Sequence, residues 1–157
     1  MTADSIEIRS ASWLVCRVGL RLCALPLDNV IENLRPLPIM PLADAPRFVL
    51  GLSIIRGAPV PVVDIGSLFG ERATAPQRMV TLRADRRLVA LVVDSVLGVR
   101  SLGPDSFNKL PPLLQDAGGE LVSAIGTLDA ELLLFLRTAR IVPDALFESL
   151  AAERSAS

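Results

Sequence analysis

Residues Phe48–Ile65 read FVLGLSIIRGAPVPVVDI, and this stretch decides the fold. Its apolar residues form two runs of strand length, Phe48–Ile55 and Ala58–Val63, and do not recur at helical spacing. One cation, Arg56, lies between the first run and a turn that begins with Gly57. A short helical turn is expected directly afterwards, at Ile65–Phe69.

The position of Arg56 has two interpretations. A buried guanidinium without a partner is very costly, so Arg56 must reach solvent or meet a carboxylate. The residues alone leave open an internal ion pair with Asp64 and an Arg that faces a binding partner.

The same pattern of short apolar runs extends in both directions along the chain. Ser12–Val18 and Leu20–Leu25 predict a hairpin whose turn places Cys16 directly opposite Cys23. We interpret these cysteines as small buried core residues, because a cytoplasmic chain keeps its thiols reduced and free Cys is usually buried. Further strand-like runs are Arg78–Arg83, Leu88–Val93, Leu97–Leu102, Leu121–Leu128 and Glu131–Leu136. Between Val30 and Pro41, prolines at 36, 38 and 41 exclude a central strand over their own positions.

Two clusters of about five strands predict an all-β fold of two small five-stranded barrel lobes packed side by side. We expect a flexible N-terminus over residues 1–11, a first lobe over 12–70 and a second lobe over 71–142, with strands exchanged near the ends. Residues 143–157 are expected to form a short C-terminal helix and tail, because Pro143 and Asp144 mark a helix start.

Composition excludes several classes of function. The 157 residues are 51% hydrophobic with a mean hydropathy of +0.49, which is incompatible with intrinsic disorder. The net charge of −1 gives no electrostatic basis for binding nucleic acid or an anionic membrane. The chain has no His, which excludes Ser-His-Asp and Cys-His nucleophiles and His metal sites. No phosphate-binding glycine motif occurs, so no cofactor is expected.

The start of the sequence and its interrupted apolar runs predict neither a signal peptide nor a membrane span. We therefore expect a cytoplasmic protein whose partners are other proteins.

A carboxylate enzyme is the remaining catalytic interpretation. Val92–Ser95 reads VVDS and Val62–Asp64 reads VVD, which echoes the aspartic-protease motif. The Gly of that motif is Val96 here, and a dyad would need dimer symmetry. Asp64 and Asp94 are better explained as strand-end residues that accept backbone N–H bonds at turns.

The chain resembles the CheW family of chemotaxis coupling proteins. The family signature, a strand ending in Asn-Leu-Arg-Gly followed by a Pro-Val-x-Asp-Leu strand, is matched by the stretch quoted above. The resemblance runs from about Trp13 to Val142. It includes Ala24–Leu27 (ALPL) with Val30–Glu32 (VIE), the strand Leu88–Val99, and the late hairpin Ile125–Leu136. The chain departs from the family pattern in three places: Ile54 replaces the signature Asn, Arg137 lies where the family usually has an acidic residue, and the composition of Ser101–Gly119 matches no family segment.

This resemblance implies a non-catalytic scaffold of two SH3-like barrels. Such a scaffold joins the cytoplasmic tip of a methyl-accepting chemoreceptor to the regulatory domain of a CheA-type histidine kinase, in receptor arrays at the inner face of the membrane. A chemosensory-type pathway with a non-flagellar output is the alternative.

By the same resemblance, a set of residues around the signature belongs to the partner-binding surface. Gly51 and Gly57 would shape the strand that presents the Arg. Two alternatives remain open: Val30 is an ordinary core residue, and Glu32 is a solvent-exposed charge without a binding role. The set is Arg56, Val30, Glu32, Gly51, Gly57 and Ile54.

Overall fold

A computed structural model describes residues 11–71, 75, 77–103, 107–108 and 122–137. The predicted C-terminal helix over 143–157 lies outside the described residues, as do residues 1–10. The described secondary structure is almost entirely β, with one short helix and a 3-10 turn at Leu27–Asn29. The strands are β1 (Ala11–Val18), β2 (Arg21–Pro26), β3 (Val30–Leu34), β4 (Val49–Ile55), β5 (Ala58–Asp64), β6 (Arg78–Ala84), β7 (Arg87–Val93), β8 (Ser95–Leu102), β9 (Phe107–Asn108), β10 (Val122–Leu128) and β11 (Glu131–Leu136); α1 is Ile65–Leu68.

The strands form two sheets, as predicted. Sheet I has the order β8-β1-β2-β11-β10-β9, of which β9 is a two-residue addition to five longer strands. Sheet II has the order β3-β6-β7-β5-β4. Each sheet draws strands from both sides of residues 70 and 71, where the lobe boundary is predicted: β1 and β2 join β8 to β11, and β6 and β7 join β3 to β5. The all-β, two-barrel fold class is confirmed.

The first hairpin has the predicted register. Gly19 and Leu20 form its turn, and Cys16 pairs with Cys23 across β1 and β2. Both thiols are free and fully buried. Burial raises the pKa of each thiol to about 12, because the apolar surroundings disfavour the thiolate.

Burial on both faces of the strands explains the high hydrophobic content. Along β1, Trp13 and Val15 pack into a core within sheet I, whereas Leu14 and Cys16 face a larger core shared with sheet II. A third core belongs to sheet II and contains Ile55 with residues of β5, β6 and β7. Strands buried on two sides read as continuous apolar runs rather than alternating ones.

Two prolines are tolerated inside β5 because of its pairing. Asp64 N–H donates to Phe48 O on the β4 side, so the nitrogens of Pro59 and Pro61 lie on the opposite edge by the alternation of the strand. On that edge, strand β7 pairs only with Val62–Asp64, and the pairing stops before it reaches Pro61 and Pro59. The missing donors of the two prolines therefore cost no ladder hydrogen bond.

Candidate protein-interaction site

Arg56 and Gly57 form the two-residue turn between β4 and β5. Both have positive φ, 53° for Arg56 and 80° for Gly57, and two such residues are typical of a type I′ hairpin turn. Gly adopts this conformation readily, whereas an Arg pays about 1 kcal/mol for it. The turn therefore holds a strained Arg at its tip where Asn, Asp or Gly would be more favourable.

The Arg56 side chain pairs with Glu32 of β3. Its Nε donates to Glu32 Oε1 at 2.9 Å, and its Nη2 donates to the same oxygen at 2.6 Å. The Arg side chain is 77% exposed and the Glu side chain 25% exposed. The interpretation of Arg56 as an internal partner of Asp64 is wrong. The Asp64 carboxylate instead accepts hydrogen bonds from Gly66 N–H and Ser67 Oγ–H at the N-terminus of α1.

The ion pair spans an open depression at one end of sheet II, which we call the mouth. Its floor is the end of the sheet II core, since Ile55 and Val60 belong to that core. Ile31 and Leu88 remain 45% and 38% exposed. Arginine is among the residues enriched in interaction hot spots, and here Arg56 borders an apolar depression. The mouth is lined by Ile31, Glu32, Ile55, Arg56, Val60, Thr81 and Leu88.

The structure brings some predicted site residues together and separates others. Glu32 and Arg56 meet at the mouth, and Gly57 is next to Arg56 in the turn. Val30 lies on the other face of β3, half-buried against the core between the sheets, because a bulge at Ile31 intervenes between it and Glu32. Ile54 is 66% exposed and points away from the core that its neighbour Ile55 enters.

Gly51 is a close-approach residue. Its φ is 145°, and a Cβ built on it would lie 2.0 Å from the backbone oxygen of Met40. Here a two-bond bridge between Met40 and Leu52 ties the Pro-containing segment to β4. Gly51 therefore shapes β4 by admitting this segment, at a distance from the Arg56 turn along the strand.

A second cavity contains the two aspartates of the enzyme interpretation together with Glu71. Their carboxylates serve as turn acceptors, as predicted: Asp64 caps α1, and Asp94 Oδ2 accepts from Gly19 N–H at 2.7 Å. Among the residues that the structure describes, no group of three or more His, Cys, Asp or Glu is arranged to hold a metal ion.

Sequence reasoning missed three further ionic features, of which the first is an ion pair between Arg21 and Glu71. The second is a fork between Arg17 and Glu131, in which Nη1 and Nη2 each donate to a separate carboxylate oxygen. This bond lowers the pKa of Glu131. The third is a pair of exposed arginines beside the mouth, Arg83 near the end of β6 and Arg86 in the turn between β6 and β7. The sequence RADRR at Arg83–Arg87 was the available signal.

Comparisons with known proteins identify the family. A model of the CheW-like domain matches residues 12–146. The chain belongs to the CheW-like domain family. This membership places it among the adaptors of chemosensory signalling.

Individual relatives agree with this assignment. FrzA of Myxococcus xanthus is 35% identical over 135 residues, covering 79% of this chain and 84% of FrzA. A segment of the chemotaxis protein CheA of Cereibacter sphaeroides is 36% identical over 92 residues, 53% of this chain and 12% of that protein. The crystal structure of the scaffolding protein TtCheW from Thermoanaerobacter tengcongensis shares the fold, with a TM-score of 0.72 at 22% identity over 81% of this chain and 88% of TtCheW.

Proposed function

We propose that this CheW-like chain is a non-catalytic adaptor that joins the cytoplasmic tip of a chemoreceptor to the regulatory domain of a CheA-type histidine kinase. The observation that carries the proposal is the mouth of sheet II. There the family's signature Arg is present, strained, 77% exposed and held by Glu32 over an apolar floor.

The chemistry of the mouth fits protein recognition. Arg56 uses Nε and Nη2 in the pair with Glu32, and its Nη1 takes part in neither bond. A partner carboxylate or carbonyl can approach that nitrogen while the aliphatic stem covers apolar area. Positive φ at a non-Gly residue costs stability, and strain of this kind is found in clusters at functional sites.

The similarity to a segment of CheA supports the proposed binding to the regulatory domain of a CheA-type kinase. This chain is 36% identical over 92 residues to a segment of the chemotaxis protein CheA, and identity at this level supports a shared fold for the two segments. Small barrels with open edges can pair with barrels of the same kind. The regulatory domain of the kinase is therefore the natural lateral partner.

The proposal places the chain in the cytoplasm, at the inner face of the membrane where receptor tips lie. Within the described ranges, no helix has the length and apolar character that a bilayer crossing demands. Attachment to the membrane is then indirect, through the receptor.

Titration calorimetry against each purified partner tests the proposal. We expect the chain to bind the kinase regulatory domain and a receptor-tip fragment from the same genome, and the Arg56→Ala chain to bind at least one of them about tenfold or more weakly. Failure of the unmodified chain to bind either partner would refute the proposal.

FrzA supports the alternative of a non-flagellar output, since it is 35% identical over four-fifths of the chain and is not named as a chemotaxis protein. Deleting the gene distinguishes the two pathways. Loss of swimming responses supports the flagellar output, and normal swimming with a defect in another sensory response supports the alternative.

A further inference from the structure

A cationic rim extends the mouth of sheet II toward the turn between β6 and β7. Arg83 lies directly opposite Leu88 in the antiparallel pairing, so both side chains are on the face that lines the mouth. Asp85 and Arg86 form the turn itself, and the side chains of Arg83, Asp85 and Arg86 are exposed. The rim therefore continues from the Arg56 pair past Leu88 to the tip of the next hairpin.

This surface carries a net positive charge although the chain as a whole carries −1. The mouth and its adjoining turn hold two carboxylates, Glu32 and Asp85, and Glu32 is already bonded to Arg56. Against them stand three arginines, at positions 56, 83 and 86; Arg87 pairs with the buried Ala84 and so lies on the other face of the sheet. The cavity beside the first hairpin is lined instead by Asp64, Glu71 and Asp94, so the two cavities differ in the charge of their linings.

We propose that the mouth and its arginine rim bind an acidic amphipathic segment of a protein partner, with one apolar side chain in the depression and carboxylates on Arg83 and Arg86. This inference rests on the proposed function and names the chemistry of the partner at that site. The apolar floor between Ile31 and Leu88 takes the anchor. Arginine forks hold carboxylates bidentately, so they fix the orientation of the segment as well as attracting it.

Complementary charge at a rim acts mainly on the association rate and on salt dependence. Arg83→Glu combined with Arg86→Glu reverses the rim without touching the buried core, since both side chains are exposed. The matched control is Arg100→Glu, because Arg100 is an exposed arginine on β8 of the other sheet. The reciprocal variant is Asp85→Asn, which removes a rim carboxylate while Asn still tolerates the positive φ of 64° at that position.

The experiment measures association and affinity for the kinase regulatory domain and for the receptor-tip fragment, at about 0.05 M and about 0.3 M salt. We expect the double reversal to weaken binding of one partner about tenfold or more at low salt and to flatten its salt dependence. Asp85→Asn is expected to strengthen the same binding about twofold, and Arg100→Glu to change it by less than about twofold.

Two results would overturn the inference. If the unmodified chain binds a partner and the rim reversal changes that binding no more than Arg100→Glu does, the segment chemistry is wrong while the proposed function stands. If the unmodified chain binds neither partner, the proposed function fails and the inference falls with it. Thermal melting of each variant verifies that the fold is retained.

Discussion

Arg56 donates two hydrogen bonds to one oxygen of Glu32, a residue 24 positions earlier in the chain. The contact joins the β4–β5 turn to β3, and β3 and β4 are the two outer strands of sheet II. An exposed ion pair of this kind stabilises a fold by about 0–1 kcal/mol. Its larger consequence is geometric, because it fixes a guanidinium at the edge of an apolar depression.

Arg56→Gly is expected to separate stability from binding. The substitution removes the ion pair but also relieves the positive φ of 53°, and each effect is about 1 kcal/mol or less. The free energy of unfolding in urea should therefore change by less than about 1 kcal/mol. Binding of a partner should fall about tenfold or more, with Arg56→Lys intermediate because Lys keeps the charge and loses the fork.

Ala130→Gly is the control for that backbone effect. Ala130 has a φ of 66° in the β10–β11 turn of the other sheet. Glycine there should raise the unfolding free energy by up to about 1 kcal/mol without altering binding. An Arg56→Gly chain that melts far below the unmodified protein would show that the Arg serves the fold rather than the interface.

Two glycines of the signature should respond differently to alanine. Gly51→Ala places a methyl group against the Met40 backbone, where an ideal Cβ is 2.0 Å from the carbonyl oxygen. We expect it to cost about 2–4 kcal/mol in a urea titration, because backbone must shift. Gly57→Ala meets no atom within 4 Å and should cost only the positive-φ penalty of about 1 kcal/mol. Equal costs would contradict the close approach of the Pro-containing segment to β4.

The cysteine pair predicts a loss of stability at alkaline pH. The pKa of each thiol is raised from 9.0 to about 12 by burial, so the folded state keeps protons that the unfolded state releases above pH 9. The contribution of each protonated thiol to the free energy of unfolding is fully present below pH 9. It is lost as pH rises toward about 12, at about 1.4 kcal/mol per pH unit for each thiol.

The chain contains no Tyr, which removes another group that would titrate in that window. Urea unfolding at several pH values above 9, repeated on the Cys16→Ala and Cys23→Ala variants, measures the effect. An alkaline slope that survives removal of both thiols would assign it to other groups.

Ile54→Asn restores the family's signature residue on an exposed face. Because the Ile side chain is 66% exposed, the change in unfolding free energy should stay within about 0.5 kcal/mol. Competition between partners for limiting adaptor should then show a shift in preference between receptor tip and kinase. Unchanged preference would exclude position 54 from the interface.

The sequence predicted the elements of this fold well because they depend on local signals. Apolar runs bounded by Gly, Pro and Asp located the strands, and the symmetric numbering of Cys16 and Cys23 about a two-residue turn gave their register. The roles of Asp64 and Asp94 as acceptors of backbone N–H bonds followed from their positions at strand ends.

What escaped prediction depends on contacts between distant segments. The spacing of apolar residues within a strand does not indicate which strand it pairs with, so the parallel pairing of β2 with β11 could not be predicted from the apolar runs. The partner of Arg56 was ambiguous for the same reason: Asp64 is 8 residues away in sequence but is held by α1, whereas Glu32 reaches the turn only after sheet II forms. The arginine rim required the β6–β7 register that sets Arg83 opposite Leu88.

The central claim is that this chain couples two other proteins, and size-exclusion chromatography of a three-component mixture tests it most directly. We predict that the receptor-tip fragment co-elutes with the kinase regulatory domain only when this chain is added, and that Arg56→Ala reduces the ternary peak while Arg100→Glu does not. Elution of the receptor fragment and the kinase domain in separate peaks, with the unmodified chain bound to one or to neither, would contradict the coupling role.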